Sequence, residues 1–214
     1  MYFDSPLTFN VKSIGECWIK SMNTVLNEGN EVLDDDKKLI ERCNICISIS
    51  SLESIDEIIE KYADKERIAL MIKKYNSCSI LNQYKISYGK FLYDYDGINQ
   101  IDWLKKKLKN RSFTKSATIA LHPPGNDILS CLSMIDLKLR DHKLNMNCVY
   151  RSQNIFASQP GNLIVMKDIL KDISEYLNVE LGNIYLYIFS AHIYEENIEQ
   201  AKSIIKRIYA NKCN

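Results

Sequence analysis

Long apolar runs are what this 214-residue chain most clearly lacks. None approaches the roughly 20 residues of a membrane span, so no spanning helix is expected. The opening residues, MYFDSPLTFNVKS, show no charged stretch leading into an apolar one, and no secretory signal is visible. An excess of charge of one sign is also missing. Lys and Arg total 28 against 27 for Asp and Glu, leaving +1, which gives no global signal for nucleic acid or another polyanion. Arginine is scarce: only Arg42, Arg67, Arg111, Arg140, Arg151 and Arg207 occur. Each therefore invites a question about its task, since guanidinium is the better bidentate phosphate ligand. There is no second CxxC to accompany Cys43-Asn44-Ile45-Cys46, and no histidine nearby. That pair reads as two small residues in a strand-like stretch rather than as a redox or zinc site. The seven cysteines form an odd, scattered set, which reads as reduced thiols in a cytoplasmic protein. No repeat, low-complexity tract or linker breaks the chain, and one domain over residues 1–214 is expected.

What is present is alternation and amphipathicity. Ile14 to Glu28 reads as a helix with Ser13 as N-cap and Gly29 closing it at C′. Glu31 to Asp36 reads as a strand entering an acidic turn, and Cys43 to Ile49 as a strand. Ser54 to Tyr62 places Ile55, Ile58, Ile59 and Tyr62 on one helical face. Asp64 to Gln83 is hard to read. Ile98 to Leu108 is a helix whose lysine-rich side is a solvated face. Ala117 to Leu121 reads as a strand before the turn His122-Pro123-Pro124-Gly125-Asn126. Ile128 to Leu139 and Leu144 to Tyr150 alternate around the hairpin signal Arg140-Asp141-His142-Lys143. Leu163 to Leu177 is a helix, Ile184 to Phe189 a strand and Tyr194 to Tyr209 a last helix. The fold class expected is α+β, a mostly antiparallel mixed sheet with helices packed on it.

The chemistry gathers in the second half. Cys131, in Leu129-Ser130-Cys131-Leu132-Ser133-Met134, reads as a mid-strand thiol. It is either a buried structural cysteine or a nucleophile whose thiolate needs a nearby cation. Arg151-Ser152 at a strand end offers a bidentate fork and a compact donor, a good phosphate pair, or else an exposed turn. Asn162, after Pro160-Gly161, is a helix cap or an amide that can both donate and accept, as pyrimidine recognition requires. His192-Ile193-Tyr194 lies at a strand-to-helix junction.

Three stretches carry a resemblance: Ile128–Leu139, CVYRSQNIFASQPGNL and SAHIYEENIEQA resemble thymidylate synthase. The spacing from Cys131 to Arg151-Ser152, on to Asn162 and then to His192-x-Tyr194 matches that family. The upstream segments TFNVKSIGECWIKSMNTVLNEGNEVLDDD and SYGKFLYDYDGINQID resemble its short, archaeal-type branch, so nearly the whole chain is covered, most weakly from Ser51 to Gln83. The resemblance implies that Cys131 adds to C6 of a pyrimidine. It makes Arg151 and Ser152 phosphate ligands, with Arg151 also the cation beside the thiol. Asn162 becomes the reader of the base edge, and His192 and Tyr194 the partners of the sugar 3′-hydroxyl. Tyr88 matches a tyrosine of the catalytic water network. Lys115 falls where the family has an arginine reaching the phosphate of the other subunit, which implies a homodimer with its sheets face to face. Asn154 stands at the end of the Arg-Ser-x-Asp motif and joins the substrate-binding set.

The implied co-substrate is 5,10-methylenetetrahydrofolate, and the implied reaction is methylation of dUMP. There are departures. Ser130 replaces the usual proline, Lys115-Ser116 an Arg-Arg pair, Asn154 an Asp, and Ser190-Ala191 an Asp-Thr. The general-base Glu and the folate-stacking Trp are not placed, since the stretch that carries them is the one hardest to read. The final residues do not resemble the apolar tail that closes over folate. Hydroxymethylation of CMP or dCMP is the alternative reaction, and an inactive nucleotide-binding paralogue the alternative class. No metal, membrane or nucleic-acid partner is expected.

Overall fold

Apolar residues spaced two apart build one sheet, and those spaced three or four apart build the helices that cover it. The computed structural model describes residues 5–52, 56–81, 86–122, 125 and 129–212. The expected helix start at Ser54 and Ile55, Gln83, the turn residues Pro123, Pro124 and Asn126, the strand start Ile128, and Cys213 lie outside them. Eight described strands form a single mixed sheet. Its spine is β8 (Glu180–Tyr194), paired antiparallel with β3 (Lys37–Ile49) and parallel with β6 (Lys143–Tyr150). Beyond β3 lie β1 (Leu7–Val11), parallel to it, and β2 (Asn30–Asp34), antiparallel. On the other side β6 pairs with β5 (Leu132–Arg140), and β5 with β4 (Thr118–Ala120), both antiparallel. A short β7 (Gln153–Asn154) runs parallel to the end of β8.

One face of this sheet is apolar. Ile45, Ile47, Ile49, Cys148, Ile184, Leu186 and Ile188 are buried in a single core. Helices α1 (Ile14–Glu28) and α6 (Gln159–Leu177) contribute Trp18, Met22, Leu163 and Met166 to it. Alternate residues of β8 on the other face, Tyr187 and Phe189, remain exposed, the pattern of a sheet packed on one side only.

Several expectations hold. Ser13 caps α1, its hydroxyl accepting from the Glu16 amide. Gly29 closes that helix as expected, with extended backbone (φ −82) and its amide donating to Val25 O. Glycine is required there for space: a Cβ would lie 2.7 Å from Ile40 Cγ2 and 2.9 Å from Glu41 O. Asp141 and His142 have φ 48 and 62, the pair of positive values a two-residue I′ hairpin demands, and Arg140 pairs with Lys143 across it.

Other expectations are corrected. The unreadable stretch contains α3 (Lys65–Asn76), preceded by α2 (Glu57–Tyr62) and followed by α4 (Tyr88–Tyr93). α3 buries only Met71 and Tyr75, too thin a stripe to show as periodicity. Its sharper signal was Asp64, whose carboxylate accepts from the Glu66 and Arg67 amides. The lysine-rich helix is α5 (Gln100–Asn110), and α7 (Glu195–Lys212) ends the described chain. β3 and β8 extend well beyond the apolar runs that announced them, because their polar ends pair with each other, Glu41 opposite His192.

Cys131 is not mid-strand. It sits in a bend just before β5. Side chains take up the backbone there: the Ser130 hydroxyl donates to Leu121 O at 3.2 Å, and Arg151 Nε donates to Ser130 O at 3.0 Å. Asn162 is likewise not a cap. α6 starts at Gln159 with Pro160 in its first turn, where the missing proline N–H costs nothing, and Asn162 lies inside the helix.

Candidate active site

At the end of the sheet where β8 meets α7, a cavity of about 560 Å³ opens. Strand ends and helix starts from across the chain line it. Tyr88 comes from the first residue of α4 and Cys131 from the bend before β5. Arg151, Ser152 and Asn154 follow β6, Asn162 comes from the first turns of α6, and His192 and Tyr194 from the end of β8. The fold thus brings together every site residue the sequence pointed to except Lys115. That lysine is exposed, and its carbonyl accepts from Lys138 Nζ at 3.2 Å.

Cys131 is held from several sides. Its amide donates to Tyr88 Oη at 3.1 Å, and its carbonyl accepts from the Arg151 amide at 2.9 Å. The Ser152 hydroxyl reaches its sulfur at 3.6 Å. The Arg151 guanidinium braces the preceding loop, with Nε on Ser130 O and Nη2 on Leu129 O at 2.8 Å. The Tyr88 ring stacks on Tyr75, with centroids 4.3 Å apart. Burial, and then the negative charge of Cys131, push the Tyr88 hydroxyl far above the usual tyrosine range, so it stays a neutral phenol.

Asn162 is 3% exposed, and its Oδ1 has no hydrogen-bond partner among the described residues. A buried carbonyl oxygen without a donor is costly, and this residue lies in the cavity wall. Asn154 differs, because its Oδ1 already accepts from the Ala157 amide at 3.0 Å and holds the turn that leads into α6. His192 packs edge-on against Tyr194, with centroids 5.1 Å apart. Burial lowers its pKa below the usual 6.5, which favours a neutral imidazole able to donate from one nitrogen and accept at the other. Tyr194 is shifted upward, by burial first and then by Asp34.

Residues that sequence reading passed over also line the cavity, among them Asp34, Glu41, Met71 and Lys74, and so does Ser190, noted above only as a departure from the family motif. Glu41 Oε1 accepts from the Ser190 hydroxyl at 2.5 Å. Neither tryptophan is at the site: Trp18 is in the core at 1% exposed, and Trp103 is 39% exposed on α5. Cys43 and Cys46 are half-buried on β3, away from the cavity lining. Among the described residues no helix is long and apolar enough to cross a membrane.

A mixed-sheet α+β fold with a thiol, a guanidinium and a buried amide around one polar cavity defines the class. Residues 51–213 match the family model described as thymidylate synthase, and the chain belongs to that family. It is 25% identical over 212 residues to a protein of Methanosarcina mazei, covering 96% of this chain and 98% of that one. It is 26% identical over 204 residues to a Methanococcoides burtonii protein, covering 92% and 94%. It is also 26% identical over 220 residues to one of Methanothermobacter thermautotrophicus, covering 93% and 98%. All three carry the name "Putative thymidylate synthase". The family binds a pyrimidine nucleotide and uses methylenetetrahydrofolate as co-substrate.

Proposed function

We propose that this chain transfers a one-carbon unit to C5 of a pyrimidine nucleoside monophosphate through a thiolate adduct of Cys131 at C6, and that the reaction is methylation of dUMP. The observation that carries this reading is the placement of the Cys131 thiol on the wall of the same cavity as the unpartnered, buried Oδ1 of Asn162. Uracil presents an N3–H that such an acceptor can receive, with O4 beside it for the amide nitrogen. The sulfur lone pair forms the S–C6 bond, and the C5=C6 π pair moves toward C4 and its oxygen. C5 thereby becomes nucleophilic, chemistry that suits a soft, reversible thiolate.

In this reading Arg151 and Ser152 take the phosphate, and His192 and Tyr194 the sugar hydroxyl. Tyr88, pinned to the Cys131 amide, orients the nucleophile and its surrounding water. Methylenetetrahydrofolate supplies the one-carbon unit when bound. Val32, Leu33, Leu39 and Met71 are the apolar side chains of the cavity lining that would pack against its pterin. Lys115 serves a second subunit in a homodimer. The open sheet face supports that pairing, with Tyr187 40% and Phe189 55% exposed, surface a monomer gains by covering.

One observation favours hydroxymethylation of CMP or dCMP as the second reading. No tryptophan walls the cavity, and its lining is rich in polar side chains, an environment that admits water where hydride transfer needs it excluded. Incubating the protein with methylenetetrahydrofolate and dUMP, dCMP, UMP or CMP separates the two. Dihydrofolate released with dUMP is the expected result. Tetrahydrofolate with a hydroxymethyl product selects the second reading, and no turnover of any of the four overturns both.

A further inference from the structure

Lys74 belongs to none of the motifs that carry the family resemblance, yet its side chain lines the cavity from α3. Two contacts fix where α3 puts it. One turn earlier Met71 abuts Gly161, the residue before Asn162, where an added Cβ would lie 2.7 Å from Met71 Cβ. Lys74 itself places its ammonium 4.6 Å from the centroid of the Tyr88 ring, whose hydroxyl accepts from the Cys131 amide. The 71/74 face of α3 thus bridges the base-reading turn and the nucleophile. A cation over a tyrosine face is held there by the ring quadrupole as well as by any anion nearby.

We propose that Lys74 is the counter-ion of the Cys131 thiolate and of the anion formed when that sulfur adds to a pyrimidine base. The second half of this assignment rests on the reaction proposed above; the first half does not. When the S–C6 bond forms, one negative charge leaves sulfur for the C5–C4–O4 unit of the base. Lys74 remains an ammonium throughout, so no proton has to be supplied or removed by it. A cation beside both locations of the charge stabilises both.

The charged neighbours are consistent with this role. Burial holds the Lys74 ammonium below the ordinary lysine range, and the negative charge of Cys131 pulls the other way. From the end of β6, the Arg151 guanidinium is engaged by the carbonyls of Leu129 and Ser130. From the β2–β3 side come two carboxylates, Asp34 and Glu41, the latter engaged by Ser190. From β8, burial favours neutral His192, and burial likewise raises Tyr194. Tyr75 and Tyr88 stay neutral phenols for the same reason.

The test needs neither nucleotide nor folate. Alkylation of Cys131 by iodoacetamide is followed peptide by peptide by mass spectrometry across about pH 6 to 9, the range in which a thiol gives way to the reactive thiolate. Lys74→Gln is expected to slow Cys131 labelling at neutral pH by about five- to tenfold and to move the rate-against-pH curve upward, while Lys74→Arg stays within about twofold. Lys74→Met is the second neutral variant and is expected to match Lys74→Gln. Exposed Cys78 is the internal standard, and buried Cys17 and Cys148 must stay unlabelled in a folded variant. Curves for either folded neutral variant that superimpose on the wild-type curve overturn the proposal. An altered curve in a protein that turns over none of the four nucleotides would sink the reaction assigned above and leave Lys74 as the thiolate's counter-ion.

Discussion

Cys131→Ala is expected to abolish one-carbon transfer, by on the order of 10^4-fold or more, while nucleotide binding stays within about threefold. The asymmetry follows from what the side chain touches. Alanine keeps the backbone amide that donates to Tyr88 and the carbonyl that accepts from Arg151. What is lost is the sulfur, with its contact to the Ser152 hydroxyl and its charge beside Lys74 and Tyr88. The proposed ligands of phosphate, sugar and base all stay in place. Turnover by product assay and affinity by calorimetry decide it. Unchanged turnover would remove the thiolate mechanism, and loss of binding together with turnover would make Cys131 a structural residue.

The second large effect is on stability. Trp18→Ala is expected to cost about 3 to 5 kcal/mol, read from the urea midpoint. Trp18 is 1% exposed on α1, its ring lies 6.2 Å from that of Phe156, and its Nε1 donates to Ile155 O at 3.1 Å. Truncation leaves a cavity and strands a buried carbonyl. Trp18→Phe keeps most of the packing and isolates the hydrogen bond, at about 1 to 3 kcal/mol. Trp103→Ala, on the surface of α5, is the control, expected within about 0.5 kcal/mol of wild type. A loss below about 1 kcal/mol for Trp18→Ala would show that the site collapses without it. The position bears on function as well, because Ile155 and Phe156 lie in the turn that carries the chain from Ser152 to Asn162.

The fold was legible wherever one face of an element is buried and the other is wet. β6 alternates throughout and β5 does so from Ile135 onward, past a bulge between Leu132 and Met134, and their hairpin carries the two residues that tolerate positive φ. α1 announced itself through its cap and a wide buried stripe. α3 did not, because a helix that covers a cavity rim rather than a core needs few apolar residues. The polar ends of β3 and β8 were hidden for a related reason. Glu41, Ser190 and His192 line the cavity, and cavity-lining residues look like surface in a sequence. Cys131 misled in the opposite sense, since Leu-Ser-Cys-Leu-Ser alternates like a strand while the Ser130 hydroxyl and Arg151 guanidinium hold a bend there.

The candidate site divides the same way. Cys131, Arg151, Ser152, Asn162, His192 and Tyr194 were recognisable because their spacing belongs to a known pattern, and one cavity collects them. Asn154 kept its place but uses its side-chain oxygen for the turn before α6. Lys74, Asp34 and Glu41 carry no spacing signal, and only the packing of α3 and the β2–β3 hairpin brings them to the site.

The central claim is a covalent bond from Cys131 to a pyrimidine. The most direct measurement is the mass of the Cys131 peptide after incubation with methylenetetrahydrofolate and 5-fluoro-dUMP, whose C5 fluorine cannot leave as a proton does and so arrests the adduct. The account predicts a wild-type peptide heavier by one 5-fluoro-dUMP plus one methylenetetrahydrofolate, and no such peptide in Cys131→Ala. An unmodified Cys131 peptide, or an adduct on any other residue, would contradict it.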